Sequence, residues 1–200
     1  MDSGFALNVG RLHGAALRAL RAYPKISAAT FPVDVHKAAA VITYLSPGLR
    51  YFHEGQFQGR KKHISPHLCR GPDEPINQEL KEFYEGLLAI LRAPTVRAGH
   101  WQSLDCSAAW NGNWTCDCFI AFAWQGADRG RLLVAVNYAG NQSQCYVRLP
   151  FADLGARTWR FQDRFSQVVY GGVGNSLQSQ GLFLDLSAWS YYLFDITSIP

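Results

Sequence analysis

The residues with the clearest capacity for chemistry are His53 and Glu54, which directly follow the short apolar run of residues 49–52. An imidazole and a carboxylate at the end of a buried strand are placed where proton transfer often occurs. A lone carboxylate cannot run most hydrolyses, however, and the second histidine of a zinc-protease helix motif is missing. We therefore predict no catalytic residue here, but a position at the rim or a subsite of a ligand site, or a structural hydrogen-bonding role.

Four potential metal ligands lie in the predicted loop that begins at residue 53: His53, His63, His67 and Cys69. Their spacings match no familiar metal site. The five cysteines are odd in number and irregularly spaced, and Cys116-Asp117-Cys118 is a CxC rather than a CxxC pair. In a strand, these two thiols would simply share a face. The sequence predicts neither a metal site nor a cofactor.

Aromatic side chains make up 14% of the chain and include six tryptophans. Trp110 and Trp114 flank an Asn-Gly turn at residues 111–112, where exposed rings can stack on sugars. We expect the other four to lie in the core: Trp101, Trp124, Trp159 and Trp189. Trp110 and Trp114 are therefore the candidate sugar-stacking residues.

Composition and charge exclude several classes of protein. With 48% hydrophobic and 17% charged residues, the 200-residue chain can bury a sizeable core. The net charge of +4 is small and scattered, and its one compact cluster, at residues 60–63, is expected to be a solvated loop, so nucleic acid is not a predicted partner. No apolar run approaches membrane-spanning length, and no signal peptide is recognisable. We therefore expect no membrane partner, and a cytoplasmic location is favoured without being fixed.

The first half of the chain carries mainly helical patterns. Residues 11–22 and 33–45 are predicted helices, and Pro47-Gly48 ends the second. Residues 49–52 are predicted to form a short buried strand, followed by a long loop over 53–76. Asn77 is the expected N-cap of a helix over 77–92. Its apolar face has the 3-4 spacing of Leu80, Phe83, Tyr84, Leu87, Leu88 and Leu91.

The second half carries short apolar runs separated by turn residues. Strands are predicted at 119–124, 131–138, 143–150, 157–163, 181–186 and 190–196, with a turn at the glycines of residues 171–174. This spacing predicts an antiparallel β-sandwich. The fold class is therefore α+β, with part of an α/β unit followed by a sandwich.

Three segments in this order resemble one enzyme family: AAAVITYLSPGLRYFHEGQFQGR, PDEPINQELKEFYEGLLAILR and LLVAVNYAGNQSQCYVRLP. Together they look like the C-terminal part of an α-amylase superfamily (glycoside hydrolase family 13) enzyme. The resemblance runs from about residue 24 to residue 196. It implies a remnant of the (β/α)8 barrel, cut upstream of the last barrel strand, over 1–97, with a divergent N-terminus at 1–23, and a C-terminal β-sandwich domain over 98–200.

The resemblance also implies a chemistry that acts on α-glucosidic bonds through two carboxylates. Both would lie on strands upstream of this region. A third acid would fall just before residue 24, yet no Asp or Glu occurs between Asp2 and Asp34. We therefore expect a fragment that is inactive alone. Residues 49–52 would be the eighth barrel strand, which makes His53, Glu54 and Gln56 candidate substrate-rim residues.

Two alternatives remain open from the sequence. The chain is a carbohydrate-binding module for an α-glucan or oligosaccharide, through Trp110 and Trp114. Or it is an assembly piece, because a partial barrel must bury helix faces that include Leu87, Leu88 and Leu91 against the sandwich, a second copy or a partner chain.

Overall fold

The computed structural model describes residues 27–62 and 71–199. The predicted helix over 11–22 lies outside these residues, as do His63, His67 and Cys69. The helices are α1 (Ser27–Thr30), α2 (Val33–Leu45), α3 (Gln78–Arg92), α4 (Pro94–Arg97) and α5 (Gly174–Ser179), with a 3-10 turn at Thr115–Cys118. The strands are β1 (His100–Leu104), β2 (Cys106–Ala108), β3 (Phe119–Gln125), β4 (Arg131–Asn137), β5 (Ser143–Val147), β6 (Thr158–Asp163), β7 (Val169–Val173), β8 (Leu182–Leu186) and β9 (Tyr191–Ile199).

Helices α2 and α3 have the ends that their sequences predict. Pro32 precedes the first turn of α2, and its fixed φ suits that place. The Oδ1 atom of Asn77 accepts a hydrogen bond from the backbone N of Leu80 at 3.1 Å, which caps α3. The buried face of α3 contains Leu80, Phe83, Tyr84, Leu87 and Ile90.

The strands form two antiparallel sheets. The larger has the order β1-β3-β4-β9-β6-β7, and the smaller has the order β2-β5-β8. Two pairs of strands that are successive in the chain, β3–β4 and β6–β7, are also hydrogen-bonded neighbours. The chain then crosses between the two sheets several times, as in a sandwich.

The central strands of the larger sheet, β3 and β4, are buried on both faces. Along β3, the side chains of Ile120, Phe122 and Trp124 belong to a core shared with α2 and α3. The alternate residues Phe119 and Ala121 belong to a second core, which is shared with the smaller sheet. The molecule therefore has three layers, in the order helices, six-stranded sheet and three-stranded sheet.

The helical layer is joined to the sheet by a buried polar contact as well as by packing. The indole Nε1 of Trp124 donates a hydrogen bond of 2.8 Å to the backbone O of Leu45, at the end of α2. This carbonyl is among the last four of the helix, which have no partner within it. The bond fixes the end of α2 over β3. The prediction of a short helical unit followed by an antiparallel β-sandwich is confirmed.

The predicted strand at residues 49–52 is wrong. These residues form no strand, and Leu49 and Tyr51 are 99% and 62% exposed. A barrel strand needs a parallel neighbour for its backbone groups, and the described part of the chain has no strand before His100. The segment therefore runs along the surface, and Phe52 stacks on Tyr44 with ring centroids 4.2 Å apart. The helical unit is helix–loop–helix rather than helix–strand–helix.

The glycines at 171–174 were predicted as a turn, and this is also wrong. Gly171 and Gly172 lie in β7, an edge strand that pairs only with β6, and Gly174 begins α5. A Cβ atom at residue 172 would come within 2.9 Å of the Leu177 side chain. Glycine here lets α5 pack closely on the strand. Strands β1 and β2 were not predicted.

The faces proposed for assembly are largely occupied within the chain. Leu87 is fully buried, while Leu88 and Leu91 are half-buried, and Leu91 packs against the helix-side core. The larger sheet thus covers most of this surface. Association with a second copy or a partner through what is left of it stays a prediction.

Replacement of Leu87 by alanine should lower the free energy of unfolding by about 2–5 kcal/mol, the usual cost of a buried leucine cavity. Leu49→Ala makes the same chemical change at an exposed site. It should alter stability by less than about 0.5 kcal/mol. Denaturant unfolding followed by circular dichroism measures both. A large cost at Leu49 would show that residues 49–52 are buried after all.

Candidate functional site

The loop that carries His53 and Glu54 is a compact turn at the surface. The backbone N of Gln56 donates to the His53 O, and the N of Arg60 donates to the Gly55 O at 3.0 Å. Gly55 adopts φ +80°, a left-handed conformation that favours glycine. Glu54 is exposed and His53 is half-buried. The turn presents both side chains to solvent at one end of the helical layer.

Gln56 points the other way, into the protein. It is only 6% exposed, and its Nε2 atom donates hydrogen bonds to the hydroxyls of Tyr44 and Tyr84 at 2.6 and 2.7 Å. The Tyr84 hydroxyl also lies 2.7 Å from the Nε2 of His36. This buried network ties the loop to α2 and α3. Gln56 supports the loop from beneath, so only His53 and Glu54 stay candidates for a substrate rim.

The loop between β2 and the 3-10 turn carries both candidate stacking residues. Trp110 and Trp114 are 56% and 65% exposed. Between them, the Oδ1 of Asn113 accepts from the backbone N and the hydroxyl of Thr115, at 2.8 and 2.7 Å. The Thr115 hydroxyl in turn accepts from the backbone N of Gln144 in β5 at 2.9 Å. The two indoles thus lie on a loop that is fixed to the smaller sheet.

The other tryptophans serve the core to different degrees. Trp124 and Trp159 are buried, whereas Trp101 and Trp189 are half-buried and pack against the helix-side core. The Nε1 of Trp159 donates to the Leu154 O at 2.9 Å. Exposed area separates Trp110 and Trp114 from these four.

A cleft of about 460 Å³ lies where the helical layer meets the segments that follow β6 and β8, and no local sequence pattern indicates it. Four carboxylates from distant parts of the chain line it: Asp34, Glu79, Asp163 and Asp185. Two aromatic residues, Trp189 and Tyr191, also line it. A cleft with acids and aromatic rings invites comparison with a sugar-cleaving site.

The carboxylates of this cleft are already engaged. Glu79 accepts a 2.7 Å bond from the Nζ of Lys37. The buried Asp163 accepts from the backbone N of Ser166 at 2.7 Å and from the backbone N of Leu193 at 2.8 Å. Burial, with the nearby carboxylates of Asp163 and Glu79, raises the pKa of Tyr191 above its ordinary value. The cleft therefore holds structural acids and a protonated phenol.

The remaining two acids have similar roles. The side-chain amides of Gln142 and Gln144 donate to Asp185 at 2.8 and 2.9 Å. Asp34 accepts from the backbone N of Val35 in the first turn of α2. Each of the four carboxylates thus stabilises local structure.

Three thiols meet under the smaller sheet. Cys145 is fully buried, and Cys106 and Cys116 are half-buried and pack against the same core. A hydrogen bond with Cys106, together with burial, raises the pKa of the Cys145 thiol. Cys116 and Cys118 lie in the 3-10 turn and not in a strand, so the predicted shared strand face is wrong. Among the described residues, no disulfide bond joins one of the four cysteines to another.

Within residues 27–62 and 71–199, no group of three or more His, Cys, Asp or Glu side chains is arranged to hold a metal ion. In the same residues, no helix has the length and apolar character needed to cross a membrane.

No protein-family model matches the sequence, and no curated protein matches it either. The fold, by contrast, is similar to the crystal structure of a maltogenic alpha-amylase, AmyB, from Thermotoga neapolitana. The TM-score is 0.64 and the match covers 84% of this chain, at 11% sequence identity. The fold is amylase-like. The matched region spans 38% of the length of the amylase chain, and an identity this low shows the fold alone.

Proposed function

We propose that this chain is the C-terminal part of an α-amylase-like enzyme that acts on α-glucosidic bonds, and that it does not catalyse on its own. The observation that carries the proposal is the similarity of fold between 84% of this chain and 38% of the chain of a maltogenic amylase. The segments quoted from the sequence support the same origin. In such an enzyme, the helices would belong to the last part of the catalytic barrel, and the sandwich would be the domain that follows the barrel.

The proposal that the chain does not catalyse on its own rests on what glycoside cleavage requires. A retaining glycosidase positions a nucleophile and an acid/base carboxylate about 5–5.5 Å apart, on either side of the bond. In the described residues, the acids of the 460 Å³ cleft are bonded to backbone or side-chain donors. Glu54 is exposed on a turn and has no second carboxylate as a neighbour in that turn. One glutamate cannot supply both groups.

The purified chain should not release reducing sugar from maltoheptaose above the buffer rate. The Glu54→Gln variant should behave in the same way, because Glu54 lacks a partner acid. Steady turnover by the unaltered chain that this variant abolishes would contradict the proposal.

The native protein should be larger than 22.3 kDa, the mass of this chain, when it is captured from its source by an antibody against the exposed face of α3. Intact-mass spectrometry provides the measurement. A native species of 22.3 kDa would argue against a larger enzyme and in favour of a binding or assembly role.

A second candidate function is carbohydrate binding by the loop of residues 109–114. The observation in its favour is the exposure of Trp110 and Trp114 on a loop held by the Asn113, Thr115 and Gln144 bonds. A rigid pair of exposed indoles can stack on sugar faces at little cost in conformational entropy.

Titration with maltoheptaose should therefore change the tryptophan fluorescence of the chain. Trp110→Ala and Trp114→Ala should each reduce this change and weaken binding by about tenfold, equivalent to about 1.4 kcal/mol. Leu49→Ala, also at an exposed site, is the control and should not alter the titration. An emission spectrum that sugar leaves unchanged would contradict this function.

A further inference from the structure

The outer face of the smaller sheet contains a groove that none of the functions above uses. The groove has a volume of about 520 Å³, within the range of roughly 300–1,000 Å³ of small-molecule sites. Its lining includes Asp105, Ser107, Tyr146, Arg148 and Gln180. These residues lie directly before and within β2, at the end of β5 and directly after it, and in the segment before β8.

The strand register explains why these side chains meet. In β5, Cys145 and Val147 are buried in the core, so Tyr146 and, directly after the strand, Arg148 face outward. Ser107, Tyr146 and Phe183 are paired in one row across the three strands. The rings of Tyr146 and Phe183 are 5.5 Å apart and tilted by 58°. The two rings thus lie side by side in the middle of this face, and Tyr146 lines the groove.

A pair of opposite charges lies in the next row. The backbone N of Arg148 donates to the Asp105 O at 3.0 Å, which places the two residues beside each other on neighbouring chain segments. Among the described residues, neither the Arg148 guanidinium nor the Asp105 carboxylate forms an ion pair. Both side chains are exposed, so their donors and acceptors are open to a ligand.

The balance of these groups selects the chemistry of the ligand. The charges of Arg148 and Asp105 sum to zero. A phosphate bound here would be repelled by the carboxylate, and an organic cation would be repelled by the guanidinium. A neutral ligand that is rich in hydroxyls can satisfy both, since a hydroxyl both donates and accepts. It also has the flat apolar faces that an aromatic ring such as that of Tyr146 can cover.

We propose that this groove binds a neutral oligosaccharide, with one sugar ring against Tyr146 and its hydroxyls bonded to Arg148, Asp105 and Gln180. The proposal rests on the carbohydrate-related function proposed above and adds a second surface to it. Ala109 lines the groove and directly precedes Trp110. The groove and the tryptophan loop are therefore adjacent along the chain. Separate substitutions in the groove and in the loop distinguish their contributions to maltoheptaose binding.

Calorimetric titration of the full chain with maltoheptaose tests the proposal. Tyr146→Ala and Arg148→Ala should each weaken binding by about tenfold, the change that corresponds to 1.4 kcal/mol. Arg97→Ala removes an equally exposed arginine from α4, far along the chain from the groove, and should leave the affinity unchanged. Circular dichroism verifies that each variant folds. If Tyr146→Ala does not fold, Arg148→Ala alone tests the groove, because Arg148 is exposed.

Several outcomes would overturn the groove as a sugar site. In one, both groove variants bind maltoheptaose as tightly as the unaltered chain. In another, only Trp114→Ala weakens binding, which moves the site to the loop and leaves the carbohydrate function intact. Binding of inorganic phosphate that Arg148→Ala abolishes would assign the groove to an anion. A chain that binds no maltoheptaose also overturns it, whereas the enzyme origin is judged separately by the native mass.

Discussion

The structure depends on a central sheet that must be covered on both faces. Residues 119–124 of β3 and all seven residues of β4 are buried. Their side chains alternate between the helix-side core and the core beneath the smaller sheet. Because a sheet with two apolar faces cannot meet water on either one, the helices and the smaller sheet are both required. The positions of the loops, the cleft and the groove follow from these two covers.

The sequence predicted the elements whose signals are local. The N-cap at Asn77 and the 3-4 spacing after it fix α3, and alternating or continuous apolar runs fix β3, β4, β5, β6, β8 and β9. Strand β7 was missed because it is a short edge strand with two glycines. Strand β1 was missed because polar residues dominate it, and β2 because it has only three residues. The apolar run at 49–52 misled because strand formation depends on neighbours that its own sequence does not reveal.

The candidate sites were harder to predict, since they depend on which segments meet. The burial of Gln56 is not visible in the residues beside it, whereas the Asn-Gly turn between Trp110 and Trp114 does indicate that both rings are exposed. The groove left one local signal: Gln144, Tyr146 and Arg148 alternate with the apolar residues of β5. That pattern identifies an outward face. Only the pairing of β5 with β2 and β8 places Ser107 and Phe183 on either side of Tyr146.

The shared core has a consequence for how the chain can be divided. If residues 98–200 were expressed alone, the helix-facing side of the larger sheet would lose its cover, including Ile120, Phe122 and Val134. Trp124 would also lose the carbonyl that its indole bonds to. A contiguous apolar patch of this kind promotes aggregation in water. The sandwich is therefore not a soluble module that can be excised at residue 98, and any fusion or crystallisation design must keep α2 and α3 attached.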